Sequence, residues 1–354
     1  LDVHATKKEP VDNNFKVVFV GAGAIGGSLA AWIARYHEAT WVLGRGAAIE
    51  SLRSTGITTY PAHHPDQRDN IKVKIIDNLG ALLDTDVVVL AVKLYDLDAA
   101  ASLVKETLGD RPIVVGMQNG VENQVILPRY FSRSIYCVVA YNAWRDASGV
   151  IGYQQKGPLV LGTPDNRLQD EIRTVADIFS PGIQTIVTNH FQDAVYSKLI
   201  INLANSITTL VGLNYRPIND IGLFQAILSN MVYEGVQVLK AAGFREFHLA
   251  GIPSWTTLWA AARLPNFLTQ RTFKKNMQKM VISSMGQDVL QHKSAQTELE
   301  YLNGYFISLA DRYGCRVPYN RAVYRLCQQH FSQPDFKPLD VNLVWDEIRQ
   351  QAAR

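Results

Sequence analysis

The chain has 354 residues, 47% of them hydrophobic and 19% charged, with a formal net charge of +3. That supplies a sizeable core and length for two domains, so we set aside a disordered chain. The charge is too small and too evenly spread, with no long run of Lys or Arg, to expect a nucleic-acid partner, whereas acidic small molecules fit.

Residues 1–14, "LDVHATKKEPVDNN", carry no apolar signal region, and we expect a vector remnant or a disordered tail. The first ordered element is a β-rich run, Phe15 to Val20. "GAGAIGG" follows, and then an apolar helical pattern through Trp32 and Ile33. This is GxGxxG between a strand and a helix. Gly21 permits the tight turn, Gly23 admits a pyrophosphate, and Gly26 lets helix and strand pack closely. Ala22, Ala24 and Ile25 complete the loop. The helix N-terminus would face the anion.

The next strand, residues 39–43, is followed by "LGRGAAIE", with no acid before Glu50 to accept ribose hydroxyls. Arg45 stands where a guanidinium pairs with a 2′-phosphate, so NADP(H) is favoured over NAD; otherwise Arg45 is a solvated loop residue. The apolar runs 86–92 and 112–117 read as strands buried on both faces of a parallel sheet. Their C-terminal ends offer Lys93 and Asp96, then Gln118, Asn119, Glu122 and Asn123, although turn chemistry alone also explains an Asn-Gly pair. "IYCVVAYNAW" and "GVIGYQQKGPLVLGT" are expected to close this sheet with antiparallel strands around a Ser-Gly turn. Residues 182–188 complete the domain.

From about residue 190 helical periodicity dominates. In "YSKLIINLANSITTLVG", residues 196–212, the polar positions share one face of a single helix. Measured from Lys198, Asn202 lies at about 40°, Asn205 at about −20°, Thr209 at about 20° and Ser206 at about 80°. Further helices are expected in "GLFQAILSNMVYEGVQVLKAAG", "NFLTQRTFKKNMQKMVISSMGQDVL", "TELEYLNGYFISLADRYG" and the C-terminal segment. No run approaches the roughly 18 apolar residues that span a bilayer, so we expect no membrane partner. Cys137, Cys315 and Cys327 lie far apart without a CxxC pair, as reduced thiols of a cytoplasmic protein would. His63 and His64 sit among loop formers, and no metal is expected. Trp255, Trp259 and Phe267 read as helix packing, or as lining of an enlarged pocket. The organisation is therefore an α/β N-terminal Rossmann domain, residues 15–189, followed by an all-α C-terminal domain, residues 190–354. Such an arrangement places a cleft between them.

Over roughly residues 15–330 the chain resembles the ketopantoate reductases, the NADPH-dependent 2-dehydropantoate 2-reductases. The carriers are "GAGAIGG", "GRG", "AVKLYD", "MQNGVEN", "YSKLIINLANSITTL", "SSMGQD" and "TELEYLNGYFISLADRYGCRVPYNRAVY", in this order. The resemblance implies reduction of a 2-oxo acid to a 2-hydroxy acid, 2-dehydropantoate to pantoate in the pantothenate pathway. It makes Lys198 the proton donor and Asn202 a substrate ligand, puts Asn119 beside nicotinamide and substrate, and sets Ser284 and Glu298 at the substrate's far end. The polar face would then meet the substrate, with a homodimer through the helical domain possible. Chemistry supports this independently: hydride addition to a ketone leaves a developing alkoxide, which an ammonium can protonate and stabilise. A lysine on so apolar a helix has its pKa depressed by desolvation, unless it snorkels to the surface. Glu298 alternatively caps a helix with Thr297.

Two departures concern substrate recognition. Family members carry a second asparagine eight residues after the lysine, where this chain has Ser206, with Asn205 beside it as a substitute. The segment before Glu298 is about two residues longer. These differences, with the longer chain around residues 244–268, leave open a relative reducing another 2-oxo acid. A non-catalytic NADP-binding redox sensor and a reductase of the opine or imine type are further alternatives.

Overall fold

The computed structural model describes residues 15–352 other than 45, 47, 250, 295 and 334. The expected tail, residues 1–14, and Arg45 lie outside the described residues. The chain divides into two compact units, one ending at Phe191 and one beginning at Gln192.

The first unit contains strands β1 (Val17–Val20), β2 (Thr40–Leu43), β3 (Ile57–Pro61), β4 (Asp69–Ile71), β5 (Lys74–Ile76) and β6 (Val87–Leu90). These are followed by β7 (Ile113–Gly116), β8 (Ser134–Val139), β9 (Ala143–Ala147), β10 (Val150–Tyr153), β11 (Leu159–Gly162) and β12 (Thr185–Val187). Eight of them form one sheet in the order β12-β11-β8-β7-β6-β1-β2-β5. Strand β1 lies parallel between β2 and β6, with Val17 opposite both Thr40 and Val87. The chain therefore leaves β1 towards one side and later returns on the other, which creates the topological switch point at which open α/β sheets bind ligands. Val17, Phe19, Val87 and Val89 are fully buried, which is why these strands read as continuous apolar runs.

One expectation is corrected. The hairpin around Ser148 and Gly149 does not close the main sheet; β9 and β10 belong to a second, four-stranded sheet in the order β4-β3-β10-β9. Its parallel pairing of β10 with β3, Val150 opposite Thr58, joins segments far apart in sequence. Only β11 pairs antiparallel within the main sheet, against β8.

The second unit is helical. Phe191–Asn202 and Ala204–Val211 are two helices where one was expected, and Leu203 separates them. The Ser206 hydroxyl donates to the Leu203 carbonyl at 2.8 Å, and that of Thr208 to the Asn205 carbonyl at 3.2 Å. Hydroxyls that bond back onto carbonyls in this way bend helices. Together the stretch Phe191–Val211 is long and apolar enough to span a membrane by length and composition, contrary to expectation. However, 83% of its most apolar window is buried inside the protein, as a core helix would be. The helix Ile221–Ala241 packs on it through Gly235, where an added Cβ would stand 2.7 Å from Ile200.

The stretch expected as one helix from Asn266 onwards also breaks. The helix Asn266–Met277 ends, the Met280 carbonyl accepts from Asn214 Nδ2 at 2.6 Å, and a new helical segment begins at Ser284. The Ser283 hydroxyl caps that segment by accepting from the Gly286 amide at 3.0 Å. Helices Tyr305–Arg312, Pro318–His330 and Val341–Ala352 complete the unit.

Candidate active site

The glycine loop follows β1. Gly21 has φ of 109°, and an added Cβ would lie 2.9 Å from the Ala91 carbonyl carbon, so the loop passes against the end of β6 as only glycine allows. A Cβ on Gly26 would come within 2.0 Å of the Gly21 carbonyl oxygen. Gly23 differs, because a Cβ there would meet nothing within 4 Å. No side chain caps the helix Ala24–Ala34 that starts beside it, and its first turn holds no acid. Space above the loop and uncapped amides at a helix N-terminus fit the pyrophosphate of a dinucleotide.

Past β6 and β7, Gln118 donates through Nε2 to the Leu90 carbonyl at 2.7 Å and the Val92 carbonyl at 3.1 Å. This buried amide ties the two strand ends together beside the glycine loop, a positioning role that sequence reasoning did not assign, although the residue sits in "QNG". Lys93 and Asn119 lie on the loops after β6 and β7, both partly exposed.

In the helical unit Lys198 and Asn202 stand one turn apart on the helix Phe191–Asn202. Lys198 is partly exposed and Asn202 buried. Desolvation lowers the Lys198 ammonium from 10.5 to about 8. Ser206 is fully buried, its hydroxyl donates to Leu203, and it accepts from Asn303 Nδ2 at 3.0 Å. It therefore takes part in the interior hydrogen bonding of this unit. Asn205 is partly exposed, and Thr209 meets the Ser283 hydroxyl at 3.3 Å. Ser283, the neighbour of Ser284, thus contacts the polar helix; the Ser-Ser pair ahead of a helical segment was its sequence signal. Glu298 is buried, and the neighbouring Thr297 hydroxyl accepts from the Leu299 amide at 3.3 Å. Glu298 leads directly into a wide π-helical turn, Glu300–Gly304, a local form often found at functional sites.

Trp255 is buried, in keeping with helix packing, whereas Trp259 is 48% and Phe267 79% exposed. Those two rings do not pack as expected. Among the described residues no group of three His, Cys, Asp or Glu side chains is placed to hold a metal ion.

Parallel strands around a glycine loop, joined to a helical unit that carries a partly desolvated lysine, define a dinucleotide-binding oxidoreductase. Residues 17–166 match the family model described as ketopantoate reductase PanE/ApbA, and residues 190–331 match its C-terminal counterpart. The chain belongs to the ketopantoate reductase family. A 2-dehydropantoate 2-reductase of Pyrococcus abyssi is 26% identical over 317 residues, covering 88% of this chain and 96% of its own. The crystal structure of a PanE/ApbA family ketopantoate reductase from Ralstonia eutropha JMP134 is similar with a TM-score of 0.68 at 24% identity, covering 95% of this chain and 100% of that one. D-mandelate dehydrogenase in a ternary structure with NADH and anilino(oxo)acetate shares the fold at a TM-score of 0.72 and 16% identity, covering 91% and 100%.

Proposed function

We propose that this protein reduces 2-dehydropantoate to pantoate with NADPH, and that Lys198 supplies the proton. The observation that carries the reading is Lys198 itself: a lysine lowered to about 8 by desolvation on a largely buried helix, one turn from the buried amide of Asn202. Such a group is protonated at neutral pH yet gives up its proton more readily than an exposed lysine, as a general acid requires.

The cofactor, when bound, supplies the hydride. The loop Gly21 to Gly26 would hold its pyrophosphate, Arg45 its 2′-phosphate, and Lys93 and Asn119 its nicotinamide half. As negative charge grows on the substrate's carbonyl oxygen, Lys198 stabilises it and then transfers its proton there. Asn202 and Asn205 orient the substrate, Ser284 and Glu298 hold its far end, and Asn119 touches substrate as well as cofactor. Ser206, committed to Leu203 and Asn303, is left out of this set. We read the protein as cytoplasmic.

The test is NADPH oxidation with 2-dehydropantoate and a panel of other 2-oxo acids. Preference for 2-dehydropantoate supports the reading; preference for another 2-oxo acid transfers it to that substrate, and no turnover of any favours a redox sensor. Arg45→Ala should weaken NADPH by about 1.5–3 kcal/mol, the worth of charge-assisted hydrogen bonds, and leave NADH nearly unchanged. Equal losses for both nucleotides would remove the NADPH assignment.

A further inference from the structure

We propose that the helix Asn266–Met277, with the end of the helix Trp255–Arg263 before it, is a docking face for an anionic lipid surface. The low net charge of the chain conceals a local concentration. From Phe247 to Gln287 there is no Asp or Glu, while Arg263, Arg271, Lys274, Lys275 and Lys279 all fall in this stretch.

The helix sorts these residues by face. Measured from Phe267 at 100° per residue, Arg271 lies at about 40°, Lys275 at about 80°, Leu268 at about 100° and Lys274 at about −20°. The opposite face is fixed to the helix Ile221–Ala241. There Phe273 packs against Phe224 with ring centroids 5.9 Å apart, and the Thr269 hydroxyl accepts from Gln225 Nε2 at 2.6 Å. The orientation is thereby set, with Phe267 79% and Leu268 58% exposed. Trp259 and Leu264, 48% and 39% exposed, add apolar surface just upstream. No residue of the helix Asn266–Met277 is buried.

Protruding apolar side chains interspersed with cations, on a helix anchored from behind, match what an interface rich in acidic headgroups accepts. The apolar groups enter the acyl boundary and the ammonium and guanidinium groups meet phosphate and carboxylate. A second copy of the same face fits poorly, since two-fold pairing would bring like-charged helices together without an acid from this stretch to neutralise them. The apolar residues also project from the surface, which disfavours a partner helix seated between them.

The experiment is cosedimentation of the full-length protein with phosphatidylcholine vesicles, with or without phosphatidylserine. Binding should require phosphatidylserine and weaken at high salt. The pair Phe267→Ser with Leu268→Ser, and separately Lys274→Glu with Lys275→Glu, should each lower partitioning about tenfold or more. Parental melting temperatures would show both variants folded, as expected from the exposure of these side chains. Absent or equal binding to the two vesicle types overturns the proposal. So does a dimer that dissociates on the Phe267→Ser, Leu268→Ser change, which would give the face to a second copy. Displacement from vesicles by a single-stranded oligonucleotide that binds the same face more tightly would also overturn it.

Discussion

Lys198→Ala separates the chemical role of the lysine from its structural one. Desolvation holds the ammonium at about 8 against 10.5 in water, a difference worth on the order of 3 kcal/mol at neutral pH. Partial exposure makes that figure an upper bound. Below about pH 8 folding must carry a charge that the site disfavours, so the parent is destabilised there. Between about 8 and 10.5 the unfolded chain binds the extra proton, and stability rises with pH. The alanine variant lacks this term. At pH 7 it should melt above the parent, apart from the loss of side-chain packing, and its advantage should shrink as pH rises towards 10.5. Activity should move the other way. With the proton donor gone, kcat falls by about 10²–10⁴-fold, while NADPH binding persists. In the parent, kcat should be level below about pH 8 and fall about tenfold per pH unit above it, as the donor loses its proton. Lys198→Arg would remove that limb, because a guanidinium stays protonated throughout. Stopped-flow NADPH oxidation and thermal melts across pH measure both effects. Turnover of Lys198→Ala at the parental rate, or an unchanged alkaline limb in Lys198→Arg, would refute the argument.

Gly23→Val should leave folding intact, since a Cβ there meets no protein atom, yet abolish NADPH and NADH binding in fluorescence titrations; retained affinity would contradict the loop's assignment. Asn202→Ala should raise KM about tenfold with little change in kcat, the cost of one hydrogen bond made alike in ground and transition states, and steady-state kinetics would distinguish this from a loss in kcat. Glu234 is pushed up to about 7 by burial even though it accepts from the Tyr319 and Asn320 amides and from Asn320 Nδ2. Its folded form therefore takes up a proton before the unfolded chain does, and stability should fall as pH rises from about 4.5 to about 7. Melts of Glu234→Gln should lack that component, and identical pH dependence in the two proteins would count against it.

The parts of this architecture that sequence reasoning reached are those set by local pattern. Val17 to Gly26 combines a buried strand, a turn only glycine can make and an apolar helix, and each step leaves its own residue signature. The small second sheet left none, because β10 finds its partner β3 through a pairing separated by about half of the first unit. The helix break at Leu203 depends on where the Ser206 hydroxyl points, which periodicity does not encode; a wheel drawn through residues 196–212 therefore treats as one helix what the structure divides in two. Lys198 and Asn202 lie within one uninterrupted helical turn, so their placement on a shared face needed only the α-helical repeat. The cationic face of Asn266–Met277 escaped notice for another reason. Whole-chain charge averages away a stretch distinguished by the acids it lacks, and its sidedness emerges only when Phe273 and Thr269 anchor the opposite face.

The interruption at Leu203 divides labour along what would otherwise be one rigid rod. Upstream, the turn holding Lys198 and Asn202 is fixed by its own backbone hydrogen bonds; downstream, the direction of Ala204–Val211 depends on a hydroxyl held between Leu203 and Asn303. A change at position 206 can therefore re-aim Asn205 and Thr209 while leaving Lys198 in register. Specificity can drift in such a protein without the chemistry being rebuilt, and variants that accept new 2-oxo acids are best sought at residues 205–209 and their neighbour Asn303.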